Sequence, residues 1–393
     1  MEEIEKMKIG IWTDVTSTRY SRQALALLEK LAESGHDAYL IPERKAKVEQ
    51  IPPKYRRFIP AGEINFGNFD LVVARCVPPR YPLSMETKDK IVGYTDWETT
   101  IAPLSWRDPM LFCRHIITHS KSAAVAFQNI GCRTPISVAA PMVDVEFWSS
   151  KDNLERVIPS DEKVNFLCIG EWTPRENQED LIVAFCRAFQ GNPNVRLIFN
   201  TWTTETTDAK VRQAIRDRLR SRIASLGVKK PPAISFVFDV LDDESFRSLI
   251  YSTDVVVVAS KGVGSPEDVI KAMLMEKLVV APNHTALENL VNDNTALPFG
   301  SYLSPSISGA NSLYTLEQTW HQPDILGLCS ALSKAYVLSR SALDEVKNIA
   351  RAARQTAQKY STSYNALDAI KEHCQPGNTS KDELLASSRE KDS

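Results

Sequence analysis

The chain has 393 residues, of which 43% are hydrophobic and 24% are charged, and its formal net charge is -2. This composition is typical of a globular protein, and the length favours two domains that each bury a core of their own. The balanced charge excludes a broad electrostatic surface for nucleic acid or an anionic membrane, although it does not exclude a local basic pocket.

The seven cysteines form no C-x-x-C pair and no zinc spacing, and several lie inside apolar runs. We therefore interpret them as buried thiols in a reducing compartment, and we expect no metal and no cofactor. The N-terminus is acidic before its first apolar run, which is unlike a signal peptide, and no apolar stretch approaches the roughly 20 residues that span a bilayer. We expect a cytoplasmic protein.

In chain order, the first half alternates strands with helical patterns. Lys8–Asp14 is the first predicted strand, and leucines at three-residue spacing predict a helix over 21–34 that Gly35 ends. Further strands are predicted at Asp37–Pro42, Phe69–Val77, KIVGYT, RHIITHS and PISVAAP. This alternation predicts a parallel sheet with helices on both faces.

Phe147–Lys163 is polar and turn-rich and reads as a linker, after which a second series begins. Its predicted strands are VNFLCIG, VRLIFNT, ISFVFDV, DVVVVAS and KLVVAP, and an amphipathic helix is predicted over 207–226. ISFVFDV and DVVVVAS are so apolar that we expect both to be buried on two faces. Helical patterns cover 322–373, and the last stretch has no core pattern. Ligands of such sheets bind beyond the carboxyl ends of the strands.

Three stretches resemble the GT-B glycosyltransferases of the large group 1 family, also called family 4. They are VGYTDWETTIAPLSW, FLCIGEWTPRENQEDLIVAF and LIYSTDVVVVASKGVGSPEDVIKAMLMEKLVVAP, and the resemblance spans about residues 8–300. It implies two Rossmann-like α/β domains facing each other across a cleft. We expect an acceptor-side domain at 1–155, a donor-side domain at 156–340, C-terminal helices packing back on the domains at 341–375, and a disordered tail at 376–393.

The same resemblance implies retaining transfer of a sugar from a nucleotide-diphosphate sugar to an acceptor, usually without a metal. The leaving diphosphate needs cations and helix N-termini, and the ribose and sugar hydroxyls need carboxylates. The donor-binding candidates that the family pattern places on this chain are Arg175, Lys261, Gly262, Val263, Gly264, Ser265 and Lys271.

Four of the family's donor-site positions carry unexpected residues. Glu171 and Glu176 stand where the family has cations, and two carboxylates would repel a diphosphate. Val263 and Lys271 stand where the family has the two glutamates of its E-x7-E motif. Valine has no polar side-chain atom, and a charged lysine cannot accept a hydrogen bond. Ser265 and Pro266 predict the start of the following helix, with serine as N-cap and proline at the first position.

The first domain offers only weak catalytic candidates. Asp96 could act as a general base, although a loop cap is the alternative; Trp97 and Trp172 could stack on a sugar or simply pack. His115 and His119 are expected to be structural.

Two hypotheses remain open: an active glycosyltransferase with an altered donor site, and an inactive relative of GT-B shape that binds a partner protein or a sugar. An epimerase or phosphorylase of the same shape has no support in the sequence.

Overall fold

The computed structural model describes residues 6–15, 18–43, 49, 51–203, 208–306 and 313–374. These residues form two compact units. The described residues of Met1–Met142 and of Thr362–Ser393 make the first unit, and those of Val143–Ser361 make the second. The predicted boundaries at 155/156 and 340/341 stay predictions, and the tail expected at 376–393 lies outside the described residues.

The first unit contains a parallel sheet of six strands in the order β2-β1-β3-β4-β5-β6. Thr18 caps the first helix by accepting a hydrogen bond from the Ser21 amide, and Gly35, at φ +90°, turns the chain after it ends. In chain order the elements are β1 (Lys8–Thr13), α1 (Arg19–Glu33), β2 (Asp37–Pro42), β3 (Leu71–Arg75), β4 (Ile91–Tyr94), α2 (Arg107–Phe112), β5 (His115–Thr118), α3 (Lys121–Asn129) and β6 (Ile136–Val138).

The second unit repeats this plan with a six-stranded parallel sheet in the order β12-β11-β10-β7-β8-β9. Its elements are α4 (Val145–Ser149), β7 (Val164–Glu171), α5 (Gln178–Ala188), β8 (Val195–Trp202), α6 (Ala209–Ser225), β9 (Ala233–Val237), α7 (Asp243–Tyr251), β10 (Val255–Val257), α8 (Glu267–Leu274), β11 (Leu278–Pro282), β12 (Leu297–Phe299), β13 (Ser301–Pro305), β14 (Thr319–Pro323), α9 (Ile325–Ser341) and α10 (Leu343–Ser363). Strands β13 and β14 form an antiparallel hairpin.

The chain then returns to the first unit, where α11 (Ala366–Lys371) packs its buried Ala369 and Ile370 into the core formed with α1 and the sheet. Asn365 caps this helix through a capping box with Asp368. None of the described helices combines the length with the apolar composition that crossing a bilayer requires.

The central strands of the second sheet are buried on both faces because helices cover each side. Val255, Val256 and Val257 of β10 are at most 1% exposed, as their continuous apolar run predicted. The same expectation is wrong for ISFVFDV. Strand β9 is the last in the sheet order, and none of its five residues is fully buried. An apolar run alone does not distinguish a central strand from an edge strand.

Two further expectations need correction. The segment predicted as a linker contains the last three residues of α4, whose Trp148 is buried. Helix α8 begins at Glu267, so its N-cap is Pro266 rather than Ser265, and the Pro266 side chain makes no capping hydrogen bond. Since proline has no hydroxyl or amide, its side chain cannot accept from the first helical amides.

Candidate functional site

The loop that resembles a donor-binding loop lies at the carboxyl edge of the second sheet, between β10 and α8. The Ser260 hydroxyl donates to the Gly262 carbonyl at 2.8 Å, and the Val263 amide donates to the Thr285 hydroxyl at 3.0 Å. The Ala286 amide in turn donates to the Val263 carbonyl at 3.1 Å. The loop is therefore held at both ends of its backbone, and Gly262, Val263, Gly264 and Ser265 are all buried.

Arg175 and Glu176 close against this loop from the segment that follows β7. The Arg175 guanidinium donates to the Gly262 carbonyl at 2.7 Å and lies 2.5 Å from the Glu176 carboxylate. The Lys261 amide donates to the Arg175 carbonyl at 2.8 Å. Both members of the Arg175–Glu176 pair are mostly buried, at 18% and 12% exposure of the side chain. The charge of Arg175 is thus already neutralised by the neighbouring Glu176.

Glu171 ends β7 near the same loop. Burial raises the pKa of its carboxyl and so does the charge of Glu176, against the opposing effect of Arg175.

The Lys261 ammonium lies 4.8 Å from the ring centre of Trp320 in β14. Burial lowers the pKa of Lys261, while the acidic Asp180 and Glu179 work in the other direction. The carboxyl edge of the second sheet therefore carries the acidic residues Glu171 and Glu176 beside the basic residues Arg175 and Lys261. Their opposite charges offset one another.

Val263 and Lys271 are the two residues that the sequence pattern aligns with the family's glutamates, an alignment that stays a prediction. Val263 is 8% exposed and belongs to the apolar cluster around α7, α8 and β11. The Lys271 ammonium lies 2.6 Å from the Glu267 carboxylate one turn earlier in α8, and the two side chains are 4% and 5% exposed. It also lies 4.6 Å from the ring centre of Trp148. Lys271 is therefore the cation of a buried ion pair.

In the first unit, Asp96 belongs to a buried charged cluster at the carboxyl edge of the sheet. Arg75, the last residue of β3, is fully buried and lies 2.7 Å from the Asp96 carboxylate. It also donates to the Tyr94 carbonyl and to the Gln23 side chain. Burial disfavours the charge of Arg75, but Asp96 and the neighbouring tyrosines outweigh it and raise the arginine pKa above its ordinary value.

His119, which follows β5, joins the same cluster. Its Nδ1 donates to the Ala139 carbonyl at 2.8 Å, and its Nε2 lies 3.1 Å from the Tyr94 hydroxyl and 3.8 Å from the Asp96 carboxylate. The Asp96 carboxylate is thus bonded to Arg75 through Oδ2, and His119 lies beside it without a hydrogen bond. The oxygen that faces His119, Oδ1, makes no hydrogen bond among the described residues, so the hydrogen bonds to Ala139 and Tyr94 are what orient the ring.

The remaining sequence candidates pack rather than line an open site. Trp97 is 3% exposed and donates to the Thr99 hydroxyl at 2.6 Å, and Trp172 packs edge-on against Phe199. His115 packs against His373 with ring centres 4.3 Å apart. Among the described residues, no group of three or more His, Cys, Asp or Glu could hold a metal ion.

Two features of the site were not foreseen from the sequence. Arg75 could have been noticed, since an arginine at the end of the buried run LVVAR must find a partner. The second feature is a stacked pair near the donor loop, His284 and His321, with ring centres 4.3 Å apart. Burial lowers the pKa of His284 to about 3, and no motif in the sequence predicted this contact.

No family model matches the chain, and no curated protein matches it significantly. The fold does have solved counterparts. A glycosyltransferase from Rickettsia africae superposes with a TM-score of 0.68 at 15% identity, over 95% of this chain and 100% of that chain. Anabaena HepE, solved in complex with UDP and glucose, gives 0.63 at 15% identity over 97% and 100%.

Sucrose-phosphate synthase from Thermosynechococcus elongatus gives a TM-score of 0.62 at 13% identity, over 97% of this chain and 100% of that chain. Sequence identities this low show a similar fold and nothing more. With two parallel six-stranded sheets covered by helices and counterparts along nearly the whole chain, the protein has the α/β GT-B fold of glycosyltransferases.

Proposed function

We propose that the chain is a glycosyltransferase that takes a sugar from a nucleotide-diphosphate sugar and passes it to an acceptor, with retention at the anomeric carbon. The observation that carries the proposal is the likeness along 97% of the chain to HepE, a protein solved with UDP and glucose. Within this fold, the loop at Ser260–Ser265 follows β10 at the carboxyl edge of the second sheet, which is where ligands of open parallel sheets bind.

Under this proposal the backbone does most of the binding. Gly262 and Gly264 let a ligand approach the main chain, and Lys261 supplies a half-buried cation for the diphosphate. No metal is required, and Asp96 is the candidate general base on the acceptor side. Asp96 is 7% exposed, so it would serve the reaction after a local opening, or through His119.

A second candidate function is favoured by the ion pairs of the donor loop. Lys271 is paired with Glu267 at 2.6 Å and Arg175 with Glu176 at 2.5 Å, so each of these two cations has a carboxylate beside it. A chain of GT-B shape that has lost the transferase reaction and acts as a binding or partner subunit accounts for this arrangement.

Titration of the purified protein with UDP, GDP and ADP, followed by a donor-hydrolysis assay, separates the two candidates. A dissociation constant below about a millimolar for one nucleotide, with slow hydrolysis of its sugar conjugate, supports the transferase. No detectable binding of any of the three excludes it and leaves the inactive relative.

A designed variant sharpens the same choice. Val263→Glu with Lys271→Glu restores the family's carboxylates, and Glu267→Leu removes the acid that would otherwise repel the new carboxylate at position 271. If only the carboxylates are missing, nucleotide affinity rises at least about tenfold. Glu267→Leu alone is the control, since it changes the local charge without supplying an acceptor for the ribose hydroxyls.

A further inference from the structure

The segment from 208 to 230 is far more basic than the rest of the chain. It carries eight lysines and arginines against two aspartates, a formal charge of +6 in a protein whose net charge is -2. The cations are Lys210, Arg212, Arg216, Arg218, Arg220, Arg222, Lys229 and Lys230. A concentration of one sign this strong raises the local potential and attracts anionic groups.

Helix α6 carries six of these eight cations. Of its 17 residues only Ile215 and Leu219 are buried. Arg216 lies 5.0 Å from the ring centre of Phe238, and two further arginines form surface ion pairs: Arg218 lies 2.6 Å from Glu179, and Arg220 lies 2.9 Å from Asp217. Both arginines are about 70% exposed, at 69% and 70%, so these surface pairs contribute little and exchange readily for another carboxylate.

An apolar groove runs beside the charges, between α6 and β9. It has a volume of about 440 Å³, and we call it the α6–β9 groove. The helix contributes Arg216, Leu219, Arg220 and Ile223, and the strand side contributes Pro232 and Phe236 among others. This volume falls in the range of pockets that hold small ligands, about 300–1,000 Å³, and it is bordered by two guanidinium groups.

Strand β9 is also an open edge of the sheet. Among the residues that the structure describes, it pairs on one side only, with β8. An unpaired edge offers a row of backbone donors and acceptors to an added strand. No proline interrupts Ala233–Val237, and no charged side chain within it protects the edge.

We propose that the α6–β9 groove binds an extended acidic segment of a partner protein. The segment would pair with the free edge of β9, place an apolar side chain in the groove, and set its carboxylates on Arg216 and Arg220. A flat membrane surface would use the charges but neither the groove nor the strand edge. The inference does not depend on transferase activity, because residues of α6 and β9 line the groove and the loop at Ser260–Ser265 does not.

The test uses the full chain and a synthetic peptide of about eight residues, long enough to pair with the five residues of β9. Glu and Leu take turns at every second position of this peptide, with Ser between them, so that both project from the same face of the strand. Binding is followed by fluorescence anisotropy at about 50 mM and about 300 mM salt. The matched variants are Arg216→Gln with Arg220→Gln, and a control with Lys347→Gln and Arg351→Gln, two exposed cations of α10 in the same unit.

We expect the Glu/Leu peptide to bind, the groove variant to lose at least about tenfold in affinity, and the control to match the wild type. A Gln/Leu peptide should bind at least about tenfold more weakly, and salt should weaken the Glu/Leu peptide. Thermal unfolding of both variants verifies that they are folded. Ile223→Asp, which places a negative charge in the groove but keeps both arginines, should also lower the affinity.

The proposal is overturned if the Glu/Leu peptide does not bind, or if it binds the groove variant and the wild type equally. Tighter binding to phosphatidylserine vesicles than to the peptide would assign the charges to a membrane instead. Tighter binding to a single-stranded oligonucleotide would assign them to nucleic acid. Either result also overturns the proposal.

Discussion

The carboxyl edges of the two sheets both bury charge, but they assemble it differently. In the first unit, Arg75 and Asp96 come from segments 21 residues apart, and the cluster also draws on α1 and on the residue after β5. In the second unit, Lys271 and Glu267 are four residues apart in one helix, and Arg175 and Glu176 are neighbours in sequence. The ion pair of the first unit therefore joins separate segments, whereas those of the second unit are local in sequence, even though Arg175 also reaches the Gly262 carbonyl and Lys271 the ring of Trp148.

This contrast has a consequence for stability and for binding. A buried pair that links separate strands is lost only when those strands separate, so it reports on the whole unit. A pair within one turn of helix can change while the strands stay packed. Disruption of the first cluster should cost mostly stability, and disruption of the second should cost less stability and change what the loop can bind.

The largest effect is expected for Arg75→Met. Removing the guanidinium leaves the buried Asp96 carboxylate without its 2.7 Å partner, and breaking a buried ion pair in this way costs about 3–5 kcal/mol. Urea unfolding followed by tryptophan fluorescence measures the change in the free energy of unfolding. The control Arg107→Met removes an exposed arginine paired with Asp108 and should stay within about 0.5 kcal/mol. A small effect at Arg75 would show that the ion pair between Arg75 and Asp96 does not hold the segments of the first unit together.

A smaller effect, about 2–3 kcal/mol, is expected for Lys271→Met. The pair with Glu267 is just as buried, but the carboxylate of Glu267 lies in the first turn of α8, where the helix dipole offsets part of the loss. Lys347→Met, at an exposed position of α10, is the control. If Lys271→Met costs as much as Arg75→Met, the distinction between a local pair and a pair that links strands fails.

The paired histidines give each unit a comparable dependence on pH. Burial lowers the pKa of His373 to about 4 in the first unit and of His284 to about 3 in the second. The ordinary value in an unfolded chain is about 6.5, so between about pH 6.5 and pH 4 the unfolded chain binds more protons. The free energy of unfolding therefore falls as the pH falls through this window. Above the window, the contribution of each histidine to stability is fully present.

Each of these histidines contributes a slope of about 1.4 kcal/mol per pH unit below about pH 6.5. His373→Phe and His284→Phe should each flatten the dependence between about pH 6.5 and 5 by about that amount, as measured by urea unfolding at several pH values. The two variants should act equally. A flattening in only one unit would show that the other pair already gains protons in the folded state.

The smallest effect is expected for Glu176→Gln, below about 1 kcal/mol. Its partner Arg175 keeps the hydrogen bond to the Gly262 carbonyl, and the amide oxygen of the glutamine can still accept from the guanidinium. Asp108→Asn, at a surface pair, serves as the control in the same unfolding assay. Glu176→Gln also frees Arg175 from a carboxylate, so a gain in UDP affinity should accompany the small loss of stability. A large destabilisation without any gain would make the pair structural.

Much of the fold followed from local pattern. The apolar runs at Lys8–Thr13 and Val164–Glu171 were predicted as strands to within a residue of their observed ends, because runs flanked by polar turns have few other solutions. Local pattern did not distinguish an edge strand from a central strand of the sheet, as β9 shows. Nor did it locate the start of α8, since Ser265 and Pro266 both suit a helix start and differ by one position.

The candidate site likewise has features that the sequence could predict and features that it could not. That Val263 and Lys271 stand where the resembled family has carboxylates is a prediction that needs only the sequence, because it depends only on which residue stands at a position. The sequence could not show that Lys271 is paired, that Glu176 neutralises Arg175, or that Asp96 lies between Arg75 and His119. Those facts depend on which side chains face each other.

The sequence by itself determined the alternation of strands and helices, the two α/β units and which residues stand in the loop at Ser260–Ser265. Only the tertiary structure decided which charges are paired, which histidines pack together and which strand ends the sheet. The physical reason is range: periodicity and chain stiffness act over a few residues, whereas burial and charge pairing depend on segments such as Gln23 and Arg75 that lie 52 residues apart in sequence and meet only in the folded chain.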